Sequence, residues 1–385
     1  MITMRTDFPC GNGFLIDAHY TADGQYVKYR AETKYNEPQP NWFYFQLSGL
    51  KGEVIHFEFA NAEQCLDDYG VKGWRDNHPV YRAVNGEWKR IFNVSVEMTE
   101  RRVHLVTFDV PVEGESMEFA YCFPYSLAQM EETLAECPGL EKTVIGYTTK
   151  GREMYRISTN FGDEERSKRG VYVIARQHAA EVSGAWIVDG MMRFLNSEEG
   201  RKVTAHQMWW LVPMIDPDAA LEGAYGKDQY LGDFNRSWGK PFPRRVELHA
   251  IIHDMDRWSE YARPGFFLDM HSPGNDRHGI EMLMKGEMSE EQIEVAKAFN
   301  ERYNYYLQEN NMQQAVIKLT AAGTHNTSSQ SGMFGSVYAA TKVDTPSTTV
   351  ETSCWGPLNE AKTYTIDDYH KMGELMVRAM ADTIK

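Results

Sequence analysis

Cysteine is scarce in this sequence, and its distribution is not that of a disulfide framework. The five cysteines among 385 residues lie at positions 10, 65, 122, 137 and 354. Their number is odd and no two have the C-x-x-C spacing, which argues against a disulfide scaffold and against a cysteine-based structural zinc site. We therefore expect reduced thiols and a cytoplasmic location.

Long apolar runs and an excess of positive charge are also absent. No stretch approaches the roughly 18 apolar residues of a transmembrane helix, and the first residues, MITMRTDFPCGNGFLID, lack the apolar run of a signal peptide. The 40 Lys and Arg against 55 Asp and Glu give a formal net charge of −15. Such a chain is poorly suited to bind nucleic acid or an anionic membrane, so we expect neither as a partner.

Strands of alternating polarity are predicted throughout residues 1–120. One spans 43–47 and the next spans 55–59, and the turn-like sequence SGLKG between them predicts a hairpin. The pattern favours a small antiparallel β-sandwich as the N-terminal domain. The further predicted strands span 87–94 and 102–110.

From about Pro124 onwards, predicted strands and helices alternate, which is typical of an α/β fold with a mostly buried sheet. Ser289 and Gln292 have the spacing of a capping box at the start of a long helix. We assign residues 121–385 to this second domain. The predicted strands span 171–175, 208–215, 265–270 and 348–352, and the predicted helices span 126–137, 182–194, 246–261, 289–310 and 366–384.

Two of these predicted strands are followed by residues that can bind a metal. In RQHAAEVSGAW, His178 and Glu181 come after the strand at 171–175, at a spacing that allows both to share one zinc ion. His271 ends FFLDMH in the same way. His, Glu and His would leave one tetrahedral position open, as catalytic zinc sites do. The alternatives are a surface or capping histidine and a glutamate that merely begins a helix.

Two further segments fit the chemistry of a peptide terminus. In GDFNRSW, Asn235 and Arg236 offer an amide and a guanidinium that can hold a carboxylate. In TPSTTVETSCWG, Glu351 lies in a β-branched run, where a carboxylate is costly without a partner or a function. A surface turn and an edge-strand glutamate facing water are the respective alternatives.

The order H-x-x-E, N-R, D-x-H and T-x-E at these spacings resembles the zinc metallocarboxypeptidase family, specifically its cytosolic-carboxypeptidase-like branch. The aromatic strand NWFYF resembles the N-terminal domain of that branch. The resemblance implies an α/β/α sandwich around a mixed eight-stranded sheet, one zinc ion per chain and a peptide or protein C-terminus as substrate. It leaves the oligomeric state open.

The resemblance also implies roles for single residues. Glu351 would be the general base that activates a zinc-bound water, and Arg236 with Asn235 would hold the terminal carboxylate. Asp233 would orient the first zinc histidine. The implied reaction is zinc-dependent hydrolysis of the last peptide or isopeptide bond. The residues that match the zinc ligands are His178, Glu181 and His271.

The sequence departs from the family pattern at two positions. The arginine expected to stabilise the oxyanion falls at Gly226, so that Lys227 or Arg176 would have to substitute. No tyrosine stands where many members carry one, and Tyr338 is the nearest candidate, with packing as its alternative role. The segment 320–342, expected to form the specificity pocket, has few charges and indicates no preferred C-terminal residue.

Three other functions remain open from the sequence. A zinc N-acyl-amino-acid deacylase would share the zinc ligands and the N-R pair, although the N-terminal NWFYF domain argues against it. A peptidoglycan-peptide carboxypeptidase is less favoured without a signal peptide. A noncatalytic binding protein on a peptidase scaffold would be expected to lose a zinc ligand or Glu351, and all are present.

Overall fold

The computed structural model describes residues 1–37, 39–62, 77–98, 104–227, 229, 232–240, 245–272, 279–285, 288–320, 333–357 and 362–385. The chain divides into two compact units. The first comprises Met1–Ser126 together with residues 219–227 and residue 229, and the second contains the remaining described residues. The predicted split at residue 120 treats each domain as one continuous segment, whereas the first unit also takes in this later segment.

The first unit contains two five-stranded sheets. One has the order β1-β4-β10-β6-β7 and the other the order β2-β3-β5-β9-β8. β3 and β5 are parallel, and the other neighbouring strands are antiparallel. The strands are β1 (Thr3–Arg5), β2 (Phe14–Tyr20), β3 (Gly24–Arg30), β4 (Tyr44–Ser48), β5 (Val54–Phe59), β6 (Val80–Ala83), β7 (Lys89–Arg90), β8 (Ser95–Met98), β9 (His104–Pro111) and β10 (Ser116–Ala120).

The hairpin predicted from residues 43–47 and 55–59 is wrong. β4 lies between β1 and β10 in one sheet, and β5 lies between β3 and β9 in the other. The rings of Phe45 and Phe57 meet with centroids 6.3 Å apart, so the two strands face each other through their apolar sides. Alternation identifies the buried face of a strand, but it is the same for strands that pair edge to edge and for strands that pack face to face.

Two other predicted strands of this unit are only partly observed. The strand predicted over 87–94 is reduced to the two residues of β7. The strand predicted over 102–110 corresponds to β9, which begins at His104. Its first two predicted residues, 102 and 103, lie outside the described residues.

The second unit is built on a mixed eight-stranded sheet, as predicted. Its order is β11-β12-β14-β13-β15-β18-β16-β17. The strands are β11 (Glu141–Tyr147), β12 (Glu153–Ser158), β13 (Arg169–Ala175), β14 (Gln207–Val212), β15 (Arg263–His271), β16 (Ile280–Lys285), β17 (Val316–Thr320) and β18 (Ser347–Thr352). The α-helices of the described chain are α1 (Leu127–Glu136), α2 (Val182–Asn196), α3 (Glu198–Val203), α4 (Pro217–Leu221), α5 (Val246–Tyr261), α6 (Glu290–Glu309), α7 (Gly335–Lys342) and α8 (Ile366–Thr383).

Helices cover both faces of this sheet. Trp258 of α5 packs on Tyr172, which stacks on Phe267 of the neighbouring strand. Gly184 of α2 instead lies directly against Met270, whose side chain points to the opposite face from Phe267. The layers are therefore helix, sheet and helix, which confirms the predicted α/β/α architecture.

The long helices follow their predicted bounds closely. α5 coincides with the prediction, and α6 begins after Ser289, whose side chain and that of Gln292 form the predicted capping box. None of the helices in the described ranges is long and apolar enough to cross a membrane.

Three parallel strands bring the candidate residues to one edge of the sheet. β13 and β18 both run parallel to β15, one on each side of it. Ala175 at the end of β13 pairs with Met270, and His271 pairs with Glu351. The turn after β13 therefore meets the ends of β15 and β18, the edge at which α/β sheets bind their ligands.

Candidate metal centre

The turn between β13 and α2 is shaped by its own backbone. Arg176 adopts a positive φ of +59°, and its Nε donates to the carbonyl oxygen of Ala179 at 2.9 Å. Glu181 stands at the N-cap position of α2, yet its side chain makes no capping hydrogen bond. The Glu181 carboxylate is therefore available to partners outside its own helix.

Those partners are two histidines. Oε1 of Glu181 lies 2.8 Å from Nδ1 of His178, and Oε2 lies 2.7 Å from Nδ1 of His271. The ligand atoms of the three residues all lie within 4.8 Å of one another, and all three residues are buried. The structure thus brings together the three residues that the sequence singled out as candidate zinc ligands.

The surroundings of this cluster are strongly negative. Nε2 of His178 lies 3.2 Å from Asp233, and Nε2 of His271 lies 2.9 Å from Asp269. Burial lowers the pKa of His178, but the carboxylates of Glu181 and Asp233 outweigh it and raise that pKa to about 9. The pKa of His271 is raised well above its usual value, against the effect of burial, by Asp269 and Glu181.

The charge and the ligand types of this cluster show whether the residues fit a metal ion. Even with both imidazoles protonated, the carboxylates of Glu181, Asp233 and Asp269 leave a net negative charge in a buried place, which is costly without a further cation. Imidazole nitrogen and carboxylate oxygen are also the ligand types that zinc takes in catalytic sites. The donor set therefore fits a zinc ion.

Asp233 lies where the sequence predicted a residue that orients His178. It precedes a 3₁₀ turn at Phe234–Arg236, and its Oδ1 accepts a hydrogen bond from the backbone N of Asn235 at 2.7 Å. Burial raises the pKa of Asp233, but the His178 ring more than offsets this and lowers that pKa well below its usual range. The carboxylate is thus fixed and charged beside the histidine.

Asp269 makes the corresponding contact with His271, and the sequence did not assign it a role. Gln177 Nε2 donates to Asp269 Oδ1 at 2.7 Å, while Gln177 Oε1 accepts from the indole Nε1 of Trp238 at 2.7 Å. The signal was available, because Asp269 precedes His271 by two residues and shares its face of the strand.

Asn235 and Arg236 are neighbours in sequence but have different environments. Asn235 is buried, with Nδ2 3.0 Å from Nε2 of His271 and Oδ1 accepting from the backbone N of Gly335 at 2.9 Å. Arg236 is half-buried, and its guanidinium lies over the ring of Phe334, 4.4 Å from the centroid. Only Arg236 therefore presents its side chain away from the histidines.

Glu351 is half-buried and is the register partner of His271. A lysine that the sequence did not single out, Lys285, lies in the same region. Its Nζ is 3.8 Å from the centroid of Phe334. Burial lowers the pKa of Lys285, although the charges of Asp269 and Glu351 oppose that effect.

The remaining candidates are Lys227, which follows Gly226, and Tyr338. Gly226 has a φ of +84°, and its backbone N donates to Glu37 at 2.6 Å within the first unit. Lys227 follows it in the segment that belongs to that unit. Tyr338 lies on α7 and packs on Trp238, with ring centroids 5.6 Å apart. Functional roles for Lys227 and Tyr338 stay predictions.

Comparison with known proteins matches both halves of the chain to protein families. Residues 4–122 match the family described as cytosolic carboxypeptidase N-terminal domain, and residues 127–238 match the family described as zinc carboxypeptidase. Among solved structures, a metallo-carboxypeptidase from Burkholderia cenocepacia superposes with a TM-score of 0.81 at 21% identity, covering 100% of this chain and 99% of that one. At this identity the likeness supports the fold alone.

Curated relatives match with similar identity over part of their length. An uncharacterized protein of Zymomonas mobilis is 24% identical over 234 residues, which is 60% of this chain and 58% of the relative. Cytosolic carboxypeptidase 2 of Danio rerio is 23% identical over 261 residues, which is 62% of this chain and 36% of that protein. The matched regions thus span little more than half of one relative and about a third of the other.

Proposed function

Because the chain belongs to the zinc carboxypeptidase family, we propose that it is a zinc-dependent carboxypeptidase that releases the last residue of a peptide or protein. The observation that carries this proposal is that His271, a member of the buried His–Glu–His cluster, is the strand-register partner of Glu351. The reaction would extend to isopeptide bonds at a branch. Since the relative from Danio rerio is named a cytosolic carboxypeptidase, we place the activity in the cytoplasm.

We assign one zinc ion per chain to His178, Glu181 and His271. The assignment is supported by the two Nδ1 atoms, which both face Glu181, while the two Nε2 atoms face Asp233 and Asp269. A carboxylate that accepts the Nε2 proton leaves Nδ1 as the ligand atom. Bound there, zinc would supply a Lewis acid for the scissile carbonyl and lower the pKa of a water molecule.

Glu351 is proposed to move the proton. Its carboxylate would accept a proton from the attacking water and deliver it to the leaving amine, so that one residue acts first as base and then as acid. Glu351 lies in β18 rather than in a loop, and this supports the role, because the strand register fixes the position of Glu351 next to His271.

Arg236 is proposed to hold the terminal carboxylate of the substrate. A guanidinium matches a carboxylate with two parallel hydrogen bonds, and Phe334 beneath it restricts its movement. An anchor of this kind lets only the last peptide bond reach the zinc ligands, which is what distinguishes an exopeptidase. Asn235 would support the anchor through its backbone, because its carbonyl oxygen accepts from Nη1 of Arg236 at 2.9 Å.

The proposal is tested by incubating zinc-loaded protein with a library of peptides that differ in their last residue. We expect free amino acid to be released, and the release to stop on chelation and in the Glu351→Gln variant. N-acetylated single amino acids and branched peptides serve as parallel substrates. Release from acetyl amino acids alone would replace the proposed carboxypeptidase with a deacylase.

A further inference from the structure

Two positive side chains contact the same aromatic ring near the candidate metal centre. The guanidinium of Arg236 lies 4.4 Å from the centroid of Phe334, and Nζ of Lys285 lies 3.8 Å from it. Both side chains are half-buried. Cation–π contact offsets part of the cost of placing these charges there, but it does not neutralise either charge or remove their mutual repulsion.

Neither cation forms an ion pair with a residue that the structure describes, although the carboxylate of Asp233 acts on Arg236 from a distance. No carboxylate oxygen of the described residues lies within 4 Å of the Lys285 ammonium or of the Arg236 guanidinium. Asp269 and Glu351 act on Lys285 only from a greater distance, and Asp269 is already bonded to His271 and Gln177. A half-buried cation without a paired anion is unfavourable in the free protein.

The strand register places the side chain of Lys285 on the same face of the sheet as that of Glu351. β16 runs antiparallel to β18, and Glu281 is the partner of Glu351. Side chains alternate along a strand, so Lys285 points to the same face as Glu281 and hence as Glu351. Lys285 is the last residue of β16, four positions along the strand from Glu281, so it shares a face with Glu351 without being its register neighbour.

Asn235, the expected partner of Arg236, directs its amide towards His271 and the backbone N of Gly335, so both polar atoms of its side chain already have neighbours. Arg236 and Lys285 are then the two cations that converge near Phe334. A carboxylate entering this region would satisfy both.

We propose that Lys285 is a substrate-binding residue that takes a carboxylate of the C-terminal residue together with Arg236. The inference rests on the proposed function, because it needs a substrate with a free C-terminus. The carboxylate has two possible sources, the main-chain terminus and an acidic side chain on the last residue. Both offer the same chemistry to an ammonium group, and the choice of substrates separates them.

The test compares zinc-loaded wild type with Lys285→Met and Lys285→Arg. The substrates are peptides that end in leucine, in glutamate and in leucinamide. Loss of one charge-assisted hydrogen bond predicts a fall in kcat/KM of about 10- to 100-fold in Lys285→Met, carried mainly by KM and partly rescued in Lys285→Arg. Lys297→Met, which removes an exposed lysine paired with Glu294 on α6, is the matched control.

Each outcome bears on the inference. A similar loss for the leucine and glutamate peptides, without loss for leucinamide, assigns Lys285 to the main-chain carboxylate. A loss confined to the glutamate peptide assigns it to an acidic side chain. Unchanged kinetics with both free acids, or an equal loss for acid and amide, would overturn the inference.

Binding and stability provide readouts that do not depend on turnover. Isothermal titration with leucine, glutamate and leucinamide should show weaker binding of a free acid to Lys285→Met than to wild type, and equal binding of the amide. Replacing with methionine a half-buried cation that forms no ion pair should leave the melting temperature unchanged or raise it. A lower melting temperature with unchanged acid binding would show a structural role and overturn the inference.

These readouts also separate the inference from the proposed function. If the wild type releases no amino acid but binds free acids through Lys285, the carboxypeptidase proposal fails and the carboxylate site stands. If the wild type is active and Lys285→Met matches it in both assays, only the inference fails.

Discussion

His271 and Glu351 are register partners on the parallel strands β15 and β18. Paired residues of neighbouring strands present their side chains on the same face, and the strands themselves lie about 4.8 Å apart. The register of the sheet therefore holds a group bound to His271 next to the carboxylate of Glu351. Because both residues lie within strands, this relationship does not depend on the conformation of a loop.

The first prediction concerns Glu351→Gln. The amide keeps the shape of the side chain but cannot accept the proton of the attacking water, so kcat should fall by about 100- to 10,000-fold while zinc content stays at one per chain. Glu281→Gln on β16 is the matched control, because Glu281 is paired with Lys318. Equal activity of the Glu351→Gln variant and the wild type would remove Glu351 from the mechanism.

The second prediction concerns metal removal. Zinc binds the folded chain and so should raise the melting temperature of chelator-treated protein, since a ligand at a thousand times its Kd stabilises by about 4 kcal/mol. Glu181→Gln should lose most of this shift, because it removes a charged ligand from between His178 and His271. Magnesium, which prefers oxygen ligands, is the control and should have little effect. An undiminished zinc shift in the variant would place the metal elsewhere.

The third prediction concerns Asp233→Asn. The side-chain oxygen that caps the turn at Asn235 is retained, but the charged acceptor beside Nε2 of His178 is lost. Zinc affinity, measured by competition with a chelator, should fall about 10- to 100-fold, as is usual when the acceptor behind a metal-binding histidine is removed. The exposed Asp256→Asn should keep the wild-type affinity. Equal affinity in the two variants would argue against the proposed role of Asp233.

The fourth prediction concerns Gly226, which stands where the family arginine is expected. Its φ of +84° is unfavourable for any residue with a Cβ atom. Gly226→Ala should lower the free energy of unfolding by about 1–2 kcal/mol in urea. Gly114→Ala is the control, because a Cβ there meets its nearest atom at 3.5 Å, an ordinary contact. If both variants unfold alike, backbone conformation does not explain the missing arginine.

Local patterns in the sequence predicted much of the second unit. The bounds of α5 and the capping box of α6 follow from side chains within one or two helical turns. The convergence of His178 with His271 could be predicted because both follow buried strands, and parallel strands place such residues at one edge.

Relationships between distant segments could not be predicted in the same way. β4 and β5 carry the alternation of a hairpin, yet they belong to different sheets. Lys285 lacked any signal of its own, because its position depends on β16 lying beside β18 and on Phe334 arriving from a segment almost 50 residues later. Asp269, by contrast, was two residues from a candidate ligand and could have been assigned from the sequence.

The central claim is that His178, Glu181 and His271 hold one zinc ion. An anomalous difference map from a crystal of zinc-loaded protein, recorded at the zinc absorption edge, tests it most directly. The account predicts one strong peak per chain, about 2.0–2.2 Å from Nδ1 of both histidines and from the Glu181 carboxylate. A peak at other residues, or none between these three in a protein that carries stoichiometric zinc, would contradict the account.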